Sequence, residues 1–351
     1  MTCPNAVPTP PTRSGFSAAR RLLAVAALIA GTLANGPSAQ ANTESSYASR
    51  NGFSFAVLGD TPASNRDEAI TAQVLAQIGH ETDLIVHVGN IKSKNERCDD
   101  ELYLRRRALF ETSPVPFVMT PGQHDWTDCD QTIAGRYGPV ERLTRLRELF
   151  FESPQSLGEL KQDLQRLSDT GRYRNYPENA RWEYGGILFV TLNMPGTHNN
   201  YRTGAGRNGE YEERILANSF WLRQAFALAT REKYKGIVIA FEADPNFEGR
   251  LNLDASDGRD PYADFKATLA RLAAKYPGQV LLLHGAHGNA AAAPKPDHPL
   301  KVAGKTLDNV TRLKAFGASR PQSWRKVVME PGKKGQFVIE NRNTVIQPPQ
   351  P

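Results

Sequence analysis

The sequence predicts an α/β chain built around a parallel sheet, and three observations predict it. Short, largely apolar runs recur along the chain, at 53–58, 84–88, 116–119, 186–192, 236–240 and 279–283. Runs of that length without polar alternation are what strands covered on both faces require. Segments with helical spacing separate most of these runs, and strand–helix–strand alternation implies right-handed crossovers. Finally, a polar residue, beside a glycine in four of six places, closes one run after another: Asp60, Asn90, the Gln123-His124-Asp125 run, Asn193, Glu242 and His284/His287.

Each element has its own warrant. Phe53 to Leu58 reads as a buried strand ending in Gly59-Asp60-Thr61-Pro62. The following helix takes Asn65 as cap with Glu68 three residues on, carries Ala69, Ile70, Val74, Leu75 and Ile78 at helical spacing, and stops at Gly79. Strand 84–88 ends at Gly89-Asn90, 101–111 is helical, and strand 116–119 runs into Pro121-Gly122-Gln123-His124-Asp125-Trp126. Pro139 to Phe151 forms an amphipathic helix, and 152–180 reads as a polar insertion. Beyond strand 186–192 a Gly/Asn-rich loop at 196–209 leads to a helix from Tyr211 to Glu232, strand 236–240, a helix from Pro261 to Tyr276 and strand 279–283. After an Ala/Pro loop at 290–296 the short stretches 300–302, 310–313, 324–330 and 336–340 read as antiparallel strands. Residues 341–351 are expected to be a flexible Pro/Gln-rich tail.

The N-terminus reads as a processing signal. Arg13, Arg20 and Arg21 give a positive region, Leu22 to Ala34 an apolar one, and Ala39-Gln40-Ala41 a small-residue cleavage pattern. Residues 1–41 are therefore a signal peptide and 42–52 a linker, and the expected destination is the periplasm or the extracellular space. Thirteen apolar residues are too few to span a bilayer, and no later stretch is apolar enough to cross one. Removing the signal takes away three arginines and no acid, which lowers the formal net charge from +6 to +3. That balance gives no reason to expect a nucleic-acid partner. Arg105-Arg106-Arg107 reads as a solvated helix face. Cleavage leaves Cys98 and Cys129, which in an oxidising compartment form either a disulfide or a pair of buried free thiols. A bridge would close a loop of about thirty residues, worth on the order of 3–4 kcal/mol.

Polar residues at the carboxyl ends of successive strands converge on one crevice in an open α/β sheet. Oxygen and imidazole donors meeting there suit a divalent cation. Taken singly, each residue is explained as well by a helix cap or a satisfied core histidine; their order along the chain carries the information.

The series GDTP, HVGN, PGQHDW, AFEADP and HGAH resembles the five metal motifs of the calcineurin-like phosphoesterases. More narrowly, FAVLGDTP, HVGNIKS, WTDC, YPENARW, LNMPG and DHPL resemble an exported bacterial branch of that family, across residues 53 to 340. The resemblance implies a four-layer α-β-β-α sandwich of two mixed sheets flanked by helices. It also implies hydrolysis of a phosphoester in a phosphorylated small molecule, and it favours the disulfide. The family's mechanism needs two cations about 4 Å apart. Carried over residue by residue, the metal positions are Asp60, Asn90, His124, Glu242 and His287, with Asn193 or His284 orienting substrate or protonating the leaving group. Several of these depart from the family pattern. Asn90 stands where an aspartate bridges both metals, Glu242 stands where a histidine is expected, and Ala286 leaves the last motif short. Three readings follow. Asp60, His124, Glu242 and His287 hold one Mn²⁺, Zn²⁺ or Fe²⁺ and hydrolysis survives; the crevice binds a phosphorylated or anionic ligand without catalysis; or the replaced residues are structural. Trp126, Tyr137 and Trp182 lie near the site loops and are expected to be ordinary packing.

Overall fold

The computed structural model describes residues 52–203, 208–247, 259–286, 295–302, 304–329 and 337–348. The proposed signal peptide and His287 lie outside them. The chain opens with β1 (Phe53–Leu58), α1 (Asn65–Glu81), β2 (Leu84–His87), α2 (Asp100–Glu111), β3 (Phe117–Met119), the single turn α3 (Gln123–Trp126) and α4 (Pro139–Leu146). Arg147–Phe151 continues α4 as a π-helical turn. Next come β4 (Gln165–Arg166), β5 (Ala180–Tyr184), β6 (Ile187–Thr191), α5 (Gly196–Asn199), α6 (Gly209–Arg231), β7 (Gly236–Ala240), α7 (Ala263–Ala273) and β8 (Gln279–His284). The chain then forms β9 (Leu300–Val302), β10 (Lys305–Leu307), β11 (Val310–Lys314), β12 (Ser323–Met329) and β13 (Phe337–Asn343).

Two mixed sheets result, one in the order β13-β12-β1-β2-β3 and the other β11-β8-β7-β6-β5-β4. Period-2 alternation divides each strand between two cores. In β1, Phe55 and Val57 face inward to meet Phe189 of β6, Val238 of β7 and Leu281 of β8. Ala56 and Leu58 face outward, toward Val74, Leu75 and Ile78 of α1 and Tyr103 of α2. On the other sheet Leu188, Ile237, Ile239 and Leu282 pack under Trp221 and Phe226 of α6 and Leu269 of α7. The layers are helix, sheet, sheet, helix, as the motif resemblance implies.

The structure differs from the sequence reading in four places. The cap of α1 is Ser64, whose hydroxyl accepts the Asp67 N–H, rather than Asn65, and the helix continues through Gly79 to Glu81. Within 152–180, β4 extends the second sheet and Leu157 pairs with Phe117, so this segment is part of the scaffold. β11 runs parallel to β8, whereas β9 with β10 and β12 with both its neighbours are antiparallel. Direction depends on where the preceding connection returns the chain, and a five-residue strand does not record that. Arg106 is fully buried between Glu68 and Glu96 rather than solvated. Cys98 and Cys129 are joined in a disulfide. The bridge ties the loop after β2 to the loop after β3. Among the described residues no helix is long and apolar enough to cross a membrane.

Candidate functional site

The carboxyl ends of β1, β2, β3, β6 and β7 supply the site. Asp60 follows β1 at φ 52° and Asn90 follows β2 at φ 61°, both in the left-handed region. Residues hold that strained conformation only where the surroundings enforce it. The Asp60 N–H donates to the Gly89 carbonyl at 3.0 Å. Gly89 itself sits at φ 92°, and a Cβ there would lie 2.7 Å from the Gly122 nitrogen, so glycine alone lets these loops touch. His87 braces the same corner from below. Its ring is fully buried, with Nε2 donating to the Thr61 carbonyl (2.7 Å) and Nδ1 accepting the Gly89 N–H (3.1 Å). Burial pushes its pKa down to about 4, which keeps it neutral.

Asp125 of α3 pins the second loop to the third. Its carboxylate accepts N–H groups from Gly122 (2.7 Å), Ile91 (2.8 Å) and Asn90 (2.9 Å). Burial pushes its pKa up to about 6, against the pull of these donors and of the Lys92 charge. Lys92 is itself buried, and its ammonium donates to the carbonyls of His124 (2.8 Å) and Ser93 (2.9 Å).

At the centre lies the Asn90 carboxamide. Its Oδ1 accepts the backbone N–H of His124 at 2.9 Å. A backbone N–H can only donate, so this bond fixes which end of the amide is oxygen. Nδ2 therefore faces the carboxylates, donating to Asp60 Oδ1 at 2.8 Å and to Glu242 Oε1 at 3.1 Å. The other Glu242 oxygen accepts N–H groups from Gln123 (3.1 Å) and from Gly196 of α5. Glu242 is buried, and burial raises its pKa against these donors. His124 is partly exposed, and its Nδ1 lies 2.5 Å from Asp128 Oδ2, one helical turn on. Burial pulls its pKa down, but the bond and charge of Asp128 outweigh it and the net shift is upward.

Asn193 and His284 stand apart from this cluster. Asn193 is fully buried, its Nδ2 donates to Glu178 Oε1 (2.9 Å), and its carbonyl accepts from Asn218 (2.9 Å) and Arg214 (3.1 Å). His284 is buried against Phe241, and its Nδ1 donates to the Gly285 carbonyl at 2.8 Å. Burial pushes its pKa down to about 4. Asn193 Oδ1 and His284 Nε2 have no hydrogen-bond partner among the described residues. Of the predicted aromatics, Trp182 stacks on Phe189 and Trp126 is fully buried in the helix-side core, so both are packing.

The divalent metal that the motif resemblance implies does not fit this arrangement. An ion shared by Asp60 and Glu242 would have to lie where the Asn90 N–H₂ already donates to both. Among the described residues no three His, Cys, Asp or Glu side chains are grouped so as to hold a metal ion. Sequence reasoning missed the supporting set: Asp128, Lys92, Glu178, Arg147 and Arg214. Asp128 was the most legible, because it lies four residues after His124, the spacing at which helical side chains meet.

No family model matches the sequence, and no curated protein matches it. Among solved structures the chain is similar to a dimetal phosphatase from Danio rerio, at 10% identity and TM-score 0.49 over 84% of this chain and 97% of that one. It is also similar to a purple acid phosphatase from yellow lupin, at 13% identity and TM-score 0.47 over 83% of this chain; it spans 51% of the lupin chain. GAP50, the anchor in the inner membrane complex of Plasmodium, gives 13% identity and TM-score 0.42 over 85% and 90%. At these identities and scores the likeness carries neither residues nor activity to this chain. The chain has the architecture that its resemblance to the calcineurin-like phosphoesterases implies, with an amide bonded between the two carboxylates at the centre of the site.

Proposed function

We propose that this is an exported protein that binds a phosphorylated or otherwise anionic small molecule at the carboxyl ends of β1, β2, β3 and β7, and does not hydrolyse it. The observation that carries this reading is the Asn90 amide, donating to Asp60 and Glu242 at 2.8 and 3.1 Å. Hydrolysis at a strand-end crevice needs a group that activates water. Here the two carboxylates nearest the centre are engaged as acceptors of N–H groups. The group suited to an anion is His124: Asp128 holds Nδ1, favours the charged ring and leaves Nε2 as the nitrogen open to a ligand. Thr197 and Gln123, bonded to each other at 2.5 Å, add polar groups at the same rim.

The test uses chain lacking residues 1–41, stripped with EDTA and then loaded with Mn²⁺ or Zn²⁺. With an aryl phosphate monoester and a diester, the expected result is no product above a protein-free control. Inorganic phosphate is expected to shift the His124 ring resonances, and its binding is expected to weaken at least tenfold in His124→Ala. Product formation abolished by Asp60→Ala would overturn the reading, as would phosphate leaving His124 unmoved.

A further inference from the structure

We propose that β13 is a docking edge for a second copy of this chain, which adds its own β13 antiparallel and joins the two copies' sheets into one.

The edges of the two sheets are built differently. β3 is three residues long and its Phe117 pairs with Leu157, β4 is two residues long, and Asp297 bridges Arg312 on the outer side of β11. β13, by contrast, runs seven residues at the end of its sheet. The Thr344 N–H donates to the Gln322 carbonyl, which fixes the alternation of the ladder: Val338, Glu340 and Arg342 turn their backbone groups toward β12. Those of Ile339, Asn341 and Asn343 point away from it, with no backbone partner among the described residues. Asn341 and Asn343 are exposed. A row of open donors and acceptors is what a further strand binds.

Charge selects the occupant and its register. Glu340 and Arg342 stand on one face of β13, paired at 2.6 Å, with Glu81 of α1 beside them. A two-fold axis at Asn341 sets Glu340 opposite Arg342 of the second copy, and Arg342 opposite Glu340 of the second copy. Moving the axis one residue either way sets glutamate against glutamate or arginine against arginine, which opposes pairing. The axis at Asn341 also matches the open backbone groups: Asn341 meets Asn341, and Ile339 meets Asn343, as hydrogen-bonded pairs. Carried further, the register sets Val345, 77% exposed, against Phe337 of the second copy. Such self-complementarity is what a two-fold dimer requires.

The experiment takes the protein as exported through sedimentation equilibrium up to about 1 mM, with amide exchange measured on dilute and concentrated samples. The expected result is a reversible dimer in which exchange at Ile339, Asn341 and Asn343 slows with concentration. Glu340 and Arg342, bonded to β12, should exchange slowly throughout. Glu340→Arg and Arg342→Glu each place like charges across the axis twice, and each should weaken the dimer about tenfold. Both substitutions on one chain exchange the partners and should restore most of the native association. Melting curves on dilute samples establish that each variant folds; should Arg342→Glu fail to fold, Glu340→Arg and the double variant still read the register. A chain that stays monomeric overturns the proposal, as does a dimer that neither substitution weakens. It is equally overturned by a double variant that associates no better than the single ones, or by amides protected alike at every dilution.

Discussion

Glu178 and Glu242 are two glutamates buried near strand ends of the same sheet, and the protein stabilises them in opposite ways. Glu178, ahead of β5, is fully buried and receives a bidentate guanidinium, with Arg147 Nε at 2.9 Å and its terminal nitrogen at 2.6 Å. It also accepts from Asn193 at 2.9 Å. Glu242, beyond β7, is 1% exposed and meets the Asn90 amide and the backbone N–H groups of Gln123 and Gly196. A full charge balances the first. Dipoles alone supply the bonds described for the second. The outer pair is a strut: with Arg214, which holds the carbonyls of Asn193 and Asn199, it clamps the loop that carries Gly196. Glu242 is where the loops converge, and the hydrogen bonds described for it come from an amide and two backbone N–H groups, with the His124 charge acting on it from nearby.

The largest effect should come from removing the strut's cation. Arg147→Ala leaves Glu178 buried without a counter-charge, and the expected loss is about 3–5 kcal/mol. Urea unfolding measures it, and adding Glu178→Gln should recover much of the loss. If the double variant is no more stable than Arg147→Ala, Glu178 is not carrying an uncompensated charge.

Next comes the disulfide, on the crevice side of the comparison. Replacing Cys98 and Cys129 with alanine is expected to cost about 3–4 kcal/mol by the chain-entropy account. The loss should appear together with faster amide exchange at Asn90 and Ile91, whose N–H groups reach Asp125 across the stapled loops. Equal exchange at those amides would separate the bridge from the site.

The sequence carried the fold well and the site only in part, for a physical reason. Strands covered on both faces leave apolar runs, and six such runs marked β1, β2, β6, β7 and β8 inside the two sheets and β3 at an edge. The ends of those strands showed where the polar groups gather. What did not show was how those groups pair. Asn90 read as a defective ligand, because residue type reveals a missing charge but not the two N–H bonds an amide makes when its oxygen is pinned. Arg106 read as solvated because its partners, Glu68 and Glu96, come from other segments. Glu178 sat inside a stretch matched to the family branch, yet nothing local announced Arg147, thirty-one residues away, as its partner.

A smaller, pH-dependent effect sharpens the role of His87 under the crevice. Its folded pKa is about 4 against an unfolded value of 6.5. The neutral ring therefore contributes stability that is fully present above pH 6.5 and lost as pH falls toward 4. The advantage of the native chain over His87→Gln should shrink by up to about 3 kcal/mol between pH 7 and pH 4. Comparing the two chains removes the opposing contributions of Asp125 and Glu242, whose raised pKa values act in the other direction. A stability difference that stays constant with pH would mean His87 is not held neutral.

The smallest effect is expected at the centre. Asn90→Ala removes two donors, but Glu242 keeps the Gln123 and Gly196 N–H groups and Asp125 keeps its three. Two lost hydrogen bonds to carboxylates, one of them part-buried, together with the His124 N–H left without its Oδ1 acceptor, should cost about 1–3 kcal/mol, less than Arg147→Ala. The cost should also be smaller at pH 5 than at pH 8, because Glu242 takes up a proton more readily once its amide donor is gone. Reversing that order, with Asn90→Ala the more damaging change, would show that the Glu242 carboxylate depends on the Asn90 amide as much as Glu178 depends on its arginine. The contrast between the two glutamates would then lie in geometry rather than in charge.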